Sequence, residues 1–254
     1  MSDLSAEPPV TPPAVRTRPS LVLLARAGAG PAAEAAVQEL SLFCYGPLLA
    51  FARYLVEQPG EAAELVHGFL ADFLQRQGFR QFTYEKHGSL RAWLRVCLRN
   101  YHTGLYRAER AQKRGSGQTY LAGDARVEPQ YLAAVDPGLT PEEAFDRRWM
   151  QNLIARSLAR VEADFPRSCA TWLGRGTATP AEVWESLQPL LMGEPPAATR
   201  EVLAAAHGLT LRDFISVLTT TRQQLRQDLK EELRNVAGPD GWEAELEVLR
   251  RHAG

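Results

Sequence analysis

Lysine is nearly missing from this chain: Lys86, Lys113 and Lys230 are the only three among 29 basic residues, and with 30 acidic residues the formal net charge is -1. A protein so balanced has no global positive field, so any attraction to nucleic acid has to come from a local cluster. Cysteine is scarce as well. Cys44, Cys97 and Cys169 lie far apart with no CxxC spacing, which argues against a disulfide framework or a thiolate metal site and fits a reducing cytoplasm. No apolar stretch reaches the roughly 18 residues that spanning a bilayer needs. The opening MSDLSAEPPVTPPAVRTRPS has prolines where a signal peptide would carry its apolar core, so neither a membrane nor a secreted destination is expected. Strand-like alternation is almost absent. The five histidines have no ligand spacing, no Ser/His/Asp or Cys/His constellation stands out, and the AGAGP stretch ending at Pro31 lacks the GK[ST] of a phosphate loop. No enzymatic activity, cofactor or metal is expected.

What is present is helical. The 254 residues, 45% of them hydrophobic, are enough for one large or two small domains with a real core. Residues 1–19 are proline-rich with almost no bulky apolar side chains, and read as a disordered arm. From Ser20 onward, helical periodicity runs through LVLLARAG, PAAEAAVQELSLFCYGPLLAFARYLV and EAAELVHGFLADFLQRQ, punctuated by Gly and Pro. Thr140, Pro141 and Glu142-Glu143 together make a helix start: a capping residue, proline in the first turn, and acids at the positive end of the helix dipole. Further helices are expected near 181–192, 199–207, 211–235 and 241–252. The fold class is all-α.

One segment concentrates charge. At about 100° per residue, Leu90, Trp93, Leu94, Cys97, Leu98, Tyr101 and Leu105 fall on an apolar stripe, while Arg91, Arg95, Arg99, His102, Tyr106, Arg110 and Lys113 form a second stripe with Arg107 and Arg114 at its margin. Residues 76–114 hold ten Lys or Arg against Glu85 and Glu109. Guanidinium groups interleaved with aromatics suit phosphate contact plus stacking on unpaired bases, and Tyr106 is the better stacking candidate because Trp93 belongs to the apolar side. On the preceding helix Glu64 and His67 share one outward side. Residues 115–146 have the opposite sign, with six acids against Arg126.

These segments resemble a bacterial RNA polymerase sigma factor of the extracytoplasmic-function type, from the group with N- and C-terminal extensions. The resemblance is collinear from about Thr17 to the C-terminus. It is carried by TRPSLVLLARAG, ELVHGFLADFLQ, GSLRAWLRVCLRNYHTGLYRAERAQKRG, TPEEAFDRRWMQNLIARSLARV and REVLAAAHGLTLRDFISVL. It implies two helical domains: a clamp- and -10-binding domain over 20–114 and a helix-turn-helix domain over 141–235, joined by an acidic linker over 115–140 and followed by a C-terminal helix over 236–254. The implied partners are the clamp coiled coil of the RNA polymerase core, promoter DNA and a regulatory protein of the anti-sigma kind.

By the same resemblance Glu64 and His67 are the polymerase contacts, although the family has Asp and Gln there. Arg95, Arg99, Asn100, Tyr106, Arg107, Arg110, Lys113 and Arg114 are the -10 DNA contacts, and Thr220, Arg222 and Arg226 belong to the reading helix. Gly208 aligns with the helix-turn-helix glycine, and His207 occupies a position usually apolar. The reading helix departs from the family in charge: residues 197–235 hold six basic and five acidic residues, which leaves little counterion release to drive duplex binding. The alternative is therefore a degenerate sigma-like adaptor that binds polymerase or a partner without recognising promoters by itself.

Overall fold

The structure is a computed structural model that describes residues 20–112, 138–193, 196–238 and 241–251, with side chains excepted at 59, 109–112, 248 and 249. The proline-rich arm over 1–19 and nearly all of the acidic linker lie outside the described residues. Twelve α-helices and one short 3₁₀ turn, with no strand among the described residues, make the chain all-α.

The helices form two compact units, and the division differs from the boundaries read from the sequence. One unit takes its described residues from 20–161 and 224–251, the other from 162–223. Residues 141–161 and the C-terminal helix thus pack with the segment over 20–112, so a fragment beginning at 141 would cut through the larger unit.

In the larger unit, α1 (Leu21–Ala27), α2 (Pro31–Ala52), α3 (Pro59–Gln75), the short turns α4 (Gly78–Gln81) and α5 (Tyr84–His87), and α6 (Leu90–Gln112) surround one core. That core includes Leu40, Leu48, Phe51, Val66, Phe69, Phe82, Leu90, Leu94 and Leu98. The start of α7 (Pro141–Ser168) adds Phe145, Trp149 and Leu153, and the end of α11 (Leu211–Ala237) adds Leu233 and Val236. By length and mean hydropathy (1.3) α2 is apolar enough to cross a membrane, contrary to the sequence reading, and 56% of its most apolar stretch is buried inside the protein.

Pro47, inside α2, shows how the sequence is accommodated. Proline has no N–H to give the carbonyl four residues back. The Phe43 carbonyl instead accepts a 2.7 Å hydrogen bond from the Asn152 side-chain amide on α7. Buried Glu232 on α11 joins the same neighbourhood, pairing with Arg156 at 3.3 Å and with Arg160 on α7.

The smaller unit holds the end of α7, α8 (Ala170–Leu173), α9 (Pro180–Leu187) with its 3₁₀ extension Gln188–Leu190, α10 (Ala197–Ala206) and the start of α11. Its core includes Phe165, Leu173, Val183, Trp184, Leu187, Phe214 and Val217. The starts are chemically explicit. Thr179 and Glu182 form a reciprocal capping box on α9, as do Thr140 and Glu143 on α7, where Thr140 N–H donates to Glu143 at 2.7 Å.

Candidate nucleic-acid interface

α6 is three-sided. Leu90, Leu94 and Leu98 are fully buried, and Trp93 packs beside them among aromatic rings, 5.4 Å from both Phe73 and Phe82. Trp93 is therefore part of the packing. The second side is the arginine row, and much of it is not solvent-facing. Arg91 is 4% exposed; its Nε donates to Glu245 Oε1 at 2.6 Å and its Nη2 to Glu245 Oε2 at 3.3 Å, while Nη1 donates to Asp146. Arg95 Nη1 reaches the same Asp146 oxygen at 3.1 Å, and its guanidinium lies over the Phe145 ring. Arg99 donates to Glu142 at 2.5 Å and covers Phe51.

Glu142 and Asp146 stand one helical turn apart on α7, so their carboxylates match arginines spaced four apart on α6. Burial works against the Arg91 cation, but the hydrogen bonds and charges of Glu245 and Asp146 more than offset it, and its pKa lies above the usual guanidinium value. Arg95 is shifted the other way, chiefly by desolvation.

The solvent-facing third side carries Val96, Asn100, Thr103 and Arg107, with Tyr106 50% exposed at its margin. Of the residues expected to meet -10 DNA, Asn100, Tyr106, Arg107 and Arg99 are at the surface, Arg99 in an exposed pair with Glu142, whereas Arg95 is half-buried against Asp146. Lys113 and Arg114 lie outside the described residues, as does the side chain of Arg110. The sequence reading missed Asp146, Glu142 and Glu245 as partners of the row. The signal in the sequence for Glu142 and Asp146 is their four-residue spacing at the start of α7, which matches the arginine spacing on α6; Glu245 carries no such signal.

Glu64 and His67 are both exposed on α3, opposite Leu65, Val66 and Phe69, and the His67 ring stacks on Tyr45 with centroids 5.2 Å apart. The outward face of α3 is therefore accessible at both expected polymerase contacts.

α10 and α11 meet at 105° around Gly208, whose φ of +67° belongs to the left-handed region that favours glycine. Ala204, Leu209, Phe214 and Val217 are buried, Leu203 is half-buried, and His207 is buried in the turn. The start of α11 is held by Thr210, which donates to Asp213 at 2.7 Å and accepts from its N–H. Thr210 first, and then Arg175 at 2.8 Å, hold the Asp213 carboxyl below the usual range.

Thr220 is half-buried and Arg226 exposed, whereas Arg222 donates to the carbonyls of Leu190 (2.8 Å) and Gly193. Arg222 therefore closes the end of the 3₁₀ turn, a structural task the charge pattern did not reveal. Among the described residues no group of three or more His, Cys, Asp or Glu is arranged to hold a metal ion. No family model, curated protein or solved structure matches this chain.

Proposed function

We propose that this chain is a sigma-like transcription initiation factor that brings the RNA polymerase core to promoters and opens the -10 region. The observation that carries the reading is the pair α10 and α11: a 105° crossing at a left-handed glycine, with small or apolar side chains buried on both flanks, is compatible with a helix-turn-helix and supports that reading. The exposed Glu64–His67 face of α3 supports polymerase docking, and Asn100, Tyr106 and Arg107 support contact with melted DNA through stacking and phosphate pairing. The factor works by binding, without catalysis or a cofactor, in the cytoplasm, and an anti-sigma protein is the natural kind of regulator. Run-off transcription with core polymerase over a promoter library tests this directly: template-dependent start sites that need this chain support it, and their absence rejects it.

The second reading, an adaptor that binds polymerase or a partner protein without promoter recognition, draws on two observations. The Arg91–Arg95–Arg99 row is neutralised by the chain's own carboxylates, and Arg222 is committed to capping carbonyls. Core binding that is lost in Glu64→Lys, together with an absence of promoter-specific initiation, would favour the adaptor.

A further inference from the structure

The carboxylates covering the arginine row come from two helices of unequal commitment. α7 is anchored by Phe145, Trp149 and Leu153, all at 0% exposure. Among its described side chains, the C-terminal helix α12 (Trp242–Arg251) instead sends partly buried Trp242 and Leu246 against the core, with Lys230 and Arg234 over the Trp242 ring. It follows α11 after the sequence GPDG, and Gly238, with φ +80°, ends the preceding helix. Glu245, 6% exposed, is the residue by which α12 grips Arg91, two guanidinium nitrogens to two carboxylate oxygens.

A buried ion pair gains little net stability once desolvation is counted, so the grip orients α12 more than it cements it. A phosphate presents the same fork of acceptors to a guanidinium as a carboxylate does. If α12 lifts, Arg91 keeps Asp146 and is not left uncompensated.

We propose that α12 is a releasable cover on the N-terminal end of the α6 basic row, in which Glu245 occupies the place of a nucleic-acid phosphate on Arg91. The inference rests on the nucleic-acid reading above and adds a self-inhibiting state to it: α12 docked, Arg91 closed; α12 released, Arg91 open to backbone phosphate.

The test uses the full-length protein, a labelled single-stranded oligonucleotide and a labelled duplex, with salt titration and hydrogen exchange over 242–251. Glu245→Gln and Glu245→Ala should speed exchange in 242–251, tighten oligonucleotide binding about five-fold or more, and steepen the salt dependence by about 0.7–0.9 for the added phosphate contact. Glu247→Gln removes the same charge from an exposed position on the same helix and should give no such gain. Adding Arg91→Ala to Glu245→Gln should abolish the gain. Trp242→Ala loosens α12 without touching the ion pair; it should reproduce the gain and serves if the Glu245 variants do not fold.

Unchanged exchange in the Glu245 variants overturns the proposal, because the pair is then no latch. Faster exchange with affinity no better than Glu247→Gln also overturns it, while leaving the nucleic-acid reading intact. If neither the parent nor any variant binds either oligonucleotide, the nucleic-acid reading itself fails and the inference goes with it.

Discussion

Replacing Asp146 with Ala removes the one carboxylate shared by Arg91 and Arg95. Asp146 is 2% exposed, and Arg91 is buried with it, so the substitution leaves a guanidinium facing only Glu245 inside the protein. Removing one partner of a buried pair costs about 3–5 kcal/mol. Arg95, whose side chain is 17% exposed, recovers part of its loss from water, which argues for the lower half of that range. For a unit of this size each kcal/mol lowers the melting temperature by about 2–4 °C, so a fall of roughly 6–16 °C is expected by calorimetry or circular dichroism. Asp146→Asn, which keeps the shape and one acceptor, should fall less. The quadruple replacement Arg91→Met, Arg95→Met, Asp146→Leu and Glu245→Leu should be close to neutral, because it removes the charges of this network together and leaves none of them unpaired. A shift below about 2 °C for Asp146→Ala would refute the reasoning. Arg91 and Arg95 would then be open in solution, and Arg95 would return to the set of free DNA contacts.

The remaining expectations concern the turn, a carboxylate and the thiols. Gly208→Ala forces a side chain into the left-handed region and brings its Cβ to 2.5 Å from Thr177 Oγ1, so a loss of at least about 1–2 kcal/mol is expected in denaturant unfolding. Asp213 has a folded-state pKa below its unfolded value of about 3.9; its contribution is full above that pH and disappears as pH falls through the lower folded value. Thr210→Val should therefore flatten the acid limb of the stability profile below about pH 4. Burial raises the pKa of all three cysteines, Cys97 to about 11, so native protein at neutral pH should resist alkylation and label only after unfolding.

The all-helical class and the helix start at Thr140 needed nothing beyond the sequence, because hydrophobic period and capping chemistry act over three or four neighbouring residues. The apolar stripe of α6 and the turn at Gly208 were legible for the same reason: periodicity determines which side of a helix is buried, and φ above zero selects glycine. The exposure of Glu64 and His67 likewise followed from the burial of Leu65, Val66 and Phe69.

The fate of the basic stripe could not be read in this way. Arg91, Arg95 and Arg99 look like a solvent-facing binding row until Glu142, Asp146 and Glu245, distant in the chain, arrive beside them. Arg222 looked like a reading-helix cation until the carbonyls of Leu190 and Gly193 came within reach. Local sequence thus determined helices, faces and turns, while tertiary packing decided which cations remain for a partner. A charge takes its role from whichever counter-charge lies a few ångströms away, and that distance is independent of separation along the chain.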